Sequence, residues 1–450
     1  MTIPEMLDFA IPSTVGLTCI AWSVGTPLPR RVVRVLILPA LVGIAWFVLR
    51  TLPLAVLNMP DGRFDFSAFH EAGGEILRGL DPIIENRTKE LPPLNPPTAF
   101  PLFALLALLP LRESFAIWAV ASAMMLAVSG IAAWRLARRS RSEEFDDEPV
   151  EVRRAGLAIL IATLCLSNAA RACLTSGQLG IAAAAAITGA IWARDRGRPI
   201  LGALGFAVGS IKVGTVVPFA LGLLRRGDLR LWLAAIGFSV LAVSFTEAPS
   251  EFASRARTWL ETIGRLGAPG AVNDFARPGN DDMISLDRAL FLAGLRDREA
   301  ARFAQMLILG LIGATAAALV LRRRGELDAR GWSLLAVFGS LFLYHRLTDM
   351  TILALPLATV MLESRRARGL RRGSMITSVI LIVTVLFMQR RLLVAVREWA
   401  DGRVDLRGRL AEALVLPHAT WSLLLVFFLL ALDLAFVGSS KTTATDRPPR

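Results

Sequence analysis

Apolar runs approaching the roughly 20 residues that a membrane-spanning helix needs recur along the chain, and short arginine clusters separate them. That alternation restricts the fold more than any other feature. A segment surrounded by hydrocarbon must satisfy every backbone N–H and C=O internally, which leaves α-helices or a closed β-barrel. Continuous apolar runs, as opposed to strict alternation, select helices. The expectation is an all-α polytopic membrane protein. Apolar stretches fall at Phe9–Val24, which is short, and at Val32–Leu57, Phe115–Trp134, 155–168, 180–193, 199–211, 213–224, 231–247, 302–321, 332–344, 349–363, 373–389 and 417–437. Residues 98–112 are apolar but short and bounded by proline, and they read as an interfacial or re-entrant helix. The bundle is then one of about 12–13 transmembrane helices, depending on whether the first stretch spans.

Composition excludes the other broad classes. Over 450 residues, 54% are hydrophobic and 19% charged, where a soluble domain carries about 25% charged residues. The net charge of +13 would suit a nucleic-acid partner. Its arginines, however, gather in loops as the positive-inside rule requires, so no nucleic acid is expected and the bilayer is. By that rule the segments 58–114, 248–301 and 390–416 lie outside. Residues 1–437 form a single transmembrane domain, followed by a disordered cytoplasmic tail, 438–450. The start, MTIPEMLDFAIP, lacks the basic region of a cleaved signal peptide. The arginine bias and the lack of organelle signals suggest an integral, multi-pass plasma-membrane protein. Cys19, Cys165 and Cys173 show no zinc spacing, and His70, His345 and His418 are scattered, so no metal is expected.

The first outer segment carries the strongest chemistry. After Asp65, the residues Phe66, Phe69, Gly73, Ile76 and Leu80 recur at helical spacing and describe an amphipathic helix on the membrane surface. Asp65 opens it. An aspartate there is either a helix N-cap or a general base, with a carboxylate between lipid and a covering helix able to take a proton from a hydroxyl. The second outer segment holds EFASRARTWLETIGRL, in which Phe252, Trp259, Ile263 and Leu266 fall near one helical face.

The string built on Asp65, Phe66, Phe69, Ala72, Leu77, Gly79, Asp81 and Pro82, followed by Pro96 and Pro97 and then an apolar stretch ending Leu-Pro-Leu, resembles the polyprenyl-phosphate-dependent glycosyltransferases of family 87. The family usually has tyrosine before its Pro-Pro pair, where this chain has Asn95. Three more segments follow in family order. In NAARACLTSGQLG (168–180), Gly177 and Gln178 are similar to a Gly-Gln-x-Asn turn, with Gly180 in place of Asn. In GSIKVGTVVPF (209–219), Lys212 resembles a Lys-Pro turn, with Val213 for Pro. In LFLYHRLTDMTILALPLA (341–358), His345, Arg346 and Asp349 look like a late His/Arg-x-x-Asp segment. The stretch ARPGNDDMISLDRALF (276–291) is similar to an Asn-x-Ser-Leu segment; its Asp281 and Asp282 read as solvated, not as metal ligands. Asn86-Arg87-Thr88 is a sequon that matters only in a secretory setting.

Each segment also has a plain structural reading. Gln178 sits in a polar turn or bonds a sugar hydroxyl or phosphate. Of 50 basic residues only Lys89, Lys212 and Lys441 are lysines; Lys212 either snorkels to the outer interface or supplies an intramembrane cation for a donor phosphate. Arg346 and Asp349 form an i, i+3 pair, or Arg346 takes phosphate through its planar donors with His345 beside the reacting group.

The resemblance implies a GT-C-type bundle and an inverting transfer of a mannose-like hexose from a polyprenyl-phosphate sugar to a glycolipid or glycan acceptor on the outer face. Asp65 and His345 would be catalytic, Asp65 as base. Lys212, Arg346, Gln178, Arg171 and Asp349 would bind the donor. No GxGxxG turn is present, which suits a lipid-linked donor; that donor is a substrate, and no cofactor is implied. A lipid or solute transporter or flippase, or an inactive relative, is the alternative.

Overall fold

The protein is described by a computed structural model covering residues 3–25, 28–57, 65–85, 95–139, 148–224, 229–246, 249–277, 280, 283–323, 327–342, 345–388, 390–400 and 406–439. The sequon, Asp281 and Asp282, residues 58–64 and tail residues 440–450 lie outside these; tail residues 438 and 439 belong to the last helix.

The described residues are helical almost throughout. The helices are α1 (Ile3–Val24), α2 (Arg30–Leu57), α3 (Asp65–Leu77), α4 (Pro97–Leu106), α5 (Leu111–Arg139), α6 (Val150–Leu166), α7 (Asn168–Ser176), α8 (Gly180–Asp195) and α9 (Pro199–Leu223). They continue with α10 (Leu229–Ser244), α11 (Pro249–Leu266), α12 (Leu286–Leu292), α13 (Arg298–Leu321), α14 (Ala329–Phe342), α15 (Leu347–Ser364), α16 (Gly369–Leu386), α17 (Arg390–Ala400) and α18 (His418–Ser439). The one sheet among the described residues pairs β1 (Met283–Ile284) antiparallel with β2 (His345–Arg346).

Among the described residues eight helices are long and apolar enough to cross a membrane: α1, α2, α5, α9, α13, α15, α16 and α18; α6 and α7 qualify as a pair bent by 49°. The chain is a multi-pass all-α membrane protein. The short first stretch extends to a full helix. The runs 199–211 and 213–224 are the two halves of one helix, α9, interrupted at Lys212. The helices α4, α10 and α14 are apolar but short.

Burial sorts the bundle. The apolar window of α15 is 89% buried and that of α13 only 17%, so α15 is central and α13 an outer wall. The main core gathers around α14, α15, α16 and α18 with α1, α6 and α8. A second cluster joins α3 and α4 to Phe115 and Trp118 of α5 and to Leu179, Ala183 and Ile211. Here the expected amphipathic helix departs from its reading. The apolar face of α3 is covered by protein and not by lipid: Phe69 stacks on Phe103 at 4.8 Å, and Gly73 is so close to α4 that a Cβ would lie 2.0 Å from the Phe103 carbonyl oxygen. In α11 the half-buried face is the one read from the sequence, with Trp259 against the second cluster.

One end of the bundle is a collar of ion pairs. Arg139 pairs with Asp195 at 2.9 Å, Arg323 and Arg330 pair with Asp328 at 2.9 and 2.7 Å, and Arg365 pairs with Glu148 at 3.2 Å. Arg371 bridges Glu363 and Asp433. The carboxyl of Asp328 is pushed up by burial, but Arg330, Arg323 and the Gly331 N–H outweigh this and hold it below its ordinary value.

Candidate active site

At the opposite end of α8 and α15, backbone irregularities bring the polar residues together. Helix α9 runs regularly to Gly209, tightens into a 3₁₀ turn over Ser210–Lys212, and leaves helical geometry at Lys212 (φ −126°, ψ 86°) before resuming at Val213. Pro218, which lacks an N–H, accompanies a second 3₁₀ turn at Val217–Phe219. Helix α15 likewise opens as a 3₁₀ helix over Leu347–Leu353. The two irregular segments meet in an ion pair between Lys212 Nζ and Asp349 Oδ1, with side chains 17% and 12% exposed. Lys212 therefore does not snorkel to water; it is held inside by a carboxylate.

Asp349 gathers the rest of its segment. Its Oδ2 faces His345 Nδ1 at 3.2 Å and accepts the Arg346 backbone N–H at 3.4 Å. His345 Nε2 faces the Gly339 carbonyl at 2.8 Å. Oxygen acceptors stand at both ring nitrogens, so both bonds form together only when the ring carries two protons. The Arg346 side chain donates from Nη2 to Asn273 Oδ1 at 3.3 Å. The aspartate thus pairs with Lys212 and His345, where the sequence offered an Arg346 partner.

Asn273 belongs to a loop built for rigidity. Asp274 accepts the Gly270 and Ala276 N–H groups at 2.7 and 3.0 Å and pairs with Arg298 at 2.9 Å. Burial alone would raise its carboxyl, but those donors and Arg298 hold it below its ordinary value. Asn280 donates to the Val272 and Asp274 carbonyls at 3.0 and 2.9 Å. The chain then enters β1, which pairs with His345 and Arg346. Of the 276–291 segment, Met283 and Ile284 reach the site through this strand pairing.

The Gly177–Gly180 turn forms another wall. Gly177 takes φ 69°, and a Cβ there would lie 2.4 Å from Phe66 Cβ; its carbonyl accepts from Trp118 Nε1 at 3.1 Å. Phe66 is therefore seated on this turn. Asp65, its neighbour, stands in the first turn of α3, close enough for its charge to act on Lys212. Asp65 has no hydrogen bond to a described residue, so no cap bond accounts for it. A Cβ at Gly180 would lie 2.4 Å from the Thr348 carbonyl oxygen. The close approach of α8 to α15 explains glycine where the resemblance expects asparagine. The Gln178 backbone is fixed by Cys173, whose Sγ donates to its carbonyl at 3.1 Å, and its half-buried amide bonds no described residue. Arg171 is exposed on α7, where its charge acts on Asp8; the structure does not bring it into the set around Asp349. Asn95 is buried, and its Nδ2 has no partner among the described residues. Nearby, Thr98 donates to the Ser210 carbonyl at 3.0 Å and ties that segment to the α9 break.

Sequence reasoning missed Asn273 and the Gly339 carbonyl. Both act through contacts distant along the chain, and neither carries a local signal. Among the described residues no three His, Cys, Asp or Glu side chains converge as metal ligands.

Fold and site together define a polytopic membrane protein with a charged, water-poor centre at one end of its helices. The chain matches the family model of glycosyltransferase family 87 over residues 94–345. It belongs to that family and is a glycosyltransferase by membership. The match contains Arg171, Gln178, Lys212 and His345; Asp65 precedes it, and Arg346 and Asp349 follow it. No curated protein and no solved structure matches the chain.

Proposed function

We propose that the protein transfers a mannose-like hexose from a polyprenyl-phosphate sugar to a hydroxyl of a glycolipid or glycan, on the outer face of the plasma membrane. The observation that carries this reading is the Lys212–Asp349–His345 set, with Arg346 beside it, at the break of a membrane helix. The acceptor hydroxyl gives its proton to Asp65 as its oxygen attacks the anomeric carbon. The bond from that carbon to the phosphate oxygen breaks, and its electron pair leaves with the lipid phosphate. The developing phosphate charge is met by Arg346 and Lys212, with His345 beside them, in a site where such charges act at low dielectric. Attack opposite the leaving group inverts the anomeric centre, so a β-linked donor gives an α-glycoside. Gln178, whose amide bonds no described residue, takes a sugar hydroxyl in this reading. Arg171, at the surface, is a site for later capture of the anionic donor.

The outward orientation rests on charge. The arginine-rich helix ends around Arg139, Arg323, Arg330 and Arg371 collect at the end opposite Lys212, and arginine-rich ends face the cytoplasm. Family membership favours transfer chemistry over the transporter reading.

The test is sugar transfer by purified protein, with radiolabelled polyprenyl-phosphate mannose beside a nucleotide-mannose control and membrane lipids and glycans as acceptors. Transfer from the lipid donor alone is expected. Transfer from the nucleotide sugar alone would overturn the donor assignment, and failure to bind or turn over any of a panel of lipid-linked sugars would overturn the function.

A further inference from the structure

Helix α16 begins and α18 ends at the collar, where Arg371 meets Asp433, so the segment that joins them lies at the opposite end, with the charged centre. Its charge sets it apart. Residues 390–416 carry six arginines against four carboxylates, whereas 58–114 carry five basic and eight acidic residues and 248–301 seven and eight. An arginine excess at this end runs against the placement that orients the rest of the chain, and it calls for a partner there. The protein itself does not supply one. Arg407 and Arg409 are exposed, and neither has a hydrogen bond or ion pair with a described residue. At the collar, by contrast, Arg139, Arg323, Arg330, Arg365 and Arg371 all meet carboxylates. Nearby Glu412 is already taken by Arg296 at 2.6 Å, and of the described carboxylates in the segment only Glu398 is left without a bond to a described residue.

The same segment is amphipathic and firmly seated. In α17, Leu393 and Ala400 are buried in the bundle, while Leu392 and Trp399 are exposed; Leu410, Leu414 and Val415, which follow the two free arginines, are exposed as well. The Ala411–Val415 turn is anchored by the Arg296–Glu412 pair and by Trp421 Nε1, which donates to the Ala413 carbonyl at 2.8 Å. Arginines next to exposed leucines and a tryptophan, between two membrane helices, make the composition of a segment lying in the headgroup layer. The apolar side chains enter the acyl boundary, and the guanidinium groups stay level with the phosphates. A soluble polyanion would leave the apolar side chains in water, and a neutral leaflet would leave the two guanidinium groups unmatched. We propose that α17 and residues 406–416 form a docking surface for the anionic phospholipid headgroups of the leaflet on this side, with Arg407 and Arg409 taking the phosphates. The surface reads the bulk leaflet through phosphate charge and needs no sugar, so it stands apart from the donor assignment.

The experiment places the full chain in bilayers of phosphatidylcholine and phosphatidylglycerol, with one of the two lipids brominated at a time. Quenching of Trp399 is read as the difference between the wild type and W399F. Brominated phosphatidylglycerol is expected to quench at lower mole fraction than brominated phosphatidylcholine, by about fivefold for each of the two arginines at low salt. In about 1 M NaCl, where the screening length falls to about 3 Å, the preference should largely vanish. R407Q/R409Q should lose it at low salt and keep the wild-type thermal midpoint, because no bond to a described residue is broken. Native mass spectrometry gives the same comparison without the tryptophan substitution: R407Q/R409Q should carry fewer phosphatidylglycerol molecules out of detergent than the wild type. Equal quenching by the two lipids in the wild type, a preference that survives high salt, or undiminished phosphatidylglycerol selectivity or retention in R407Q/R409Q overturns the assignment. Failure of sugar transfer leaves it untouched, since lipid contact is what is read.

Discussion

Two charged clusters occupy opposite ends of α8 and α15, and they are built on opposite plans. At the collar, Arg323 and Arg330 share Asp328, Arg371 joins Glu363 to Asp433, and Arg365 meets Glu148. The guanidinium planes bind carboxylates that lie on other helices or loops, and the result is a set of cross-links. At the other end, Lys212, His345 and the Arg346 backbone all converge on one carboxylate, Asp349, while the Asp65 carboxylate has no hydrogen bond to a described residue. A matched set of buried charges holds helices in register. An unmatched set keeps capacity for a ligand, and the desolvation it has already undergone makes it costly to leave unused.

The sharpest way to break this comparison is Asp349→Asn. It leaves Lys212 enclosed without its counter-charge, which costs about 3–5 kcal/mol when one member of a buried pair is removed. A large fall in thermal midpoint and loss of transfer are both expected. Adding Lys212→Met to Asp349→Leu removes both charges and should recover most of the midpoint but none of the activity. Recovery of transfer in that double variant would make the cluster structural, like the collar.

Asp65→Asn separates the two roles. Positioned general bases contribute about 10²–10⁴-fold, so transfer should fall by that order. The thermal midpoint should hold, because no bond to a described residue is lost. A lowered midpoint with full activity would return Asp65 to the role of a helix cap.

The converse result is expected at the collar. Asp433 receives both Arg330 and Arg371, and its side chain is 2% exposed. Asp433→Asn should lower the midpoint by a stability loss of about 3 kcal/mol, while kcat/KM per folded molecule is kept. Reduced turnover in the folded fraction would mean that the two ends are coupled through α15.

How much of this was legible beforehand follows from the range of each interaction. The helical class and most spans were readable, because hydrocarbon length and arginine placement are local properties of the chain. Lys212 was readable as an anomaly, being a lone charge in an apolar run, yet its partner lies 137 residues away and no local pattern predicts that distance. The Arg346–Asp349 spacing left a side-chain pair open as one of two readings; the β1–β2 bridge holds Arg346 extended, and its guanidinium bonds Asn273. The surface position of α3 misled. Amphipathicity reports one apolar face, and both lipid and α4 satisfy it. Gly180 stood out as a missing asparagine; only the approach of the Thr348 carbonyl shows why a side chain is excluded.

The smallest expected effect concerns the loop that presents Asn273 to Arg346. Asp274 has its carboxyl held below the ordinary value by the Gly270 and Ala276 N–H groups and by Arg298, against the opposing effect of burial. A carboxylate with a depressed folded-state value contributes stability that is present above the unfolded value, roughly pH 4, and is lost as pH falls through the folded value. Below about pH 4, hydrogen exchange across residues 267–285 should therefore rise before exchange in α15 does. Asp274→Asn should show the raised loop exchange already at neutral pH, and a donor KM a few-fold higher with kcat nearly kept, since Arg346 loses the support of Asn273 but not its charge. Unchanged loop exchange in Asp274→Asn would show that the bridge between β1 and β2 alone positions Arg346. The unmatched cluster would then be held from within the membrane and owe nothing to the loop above it.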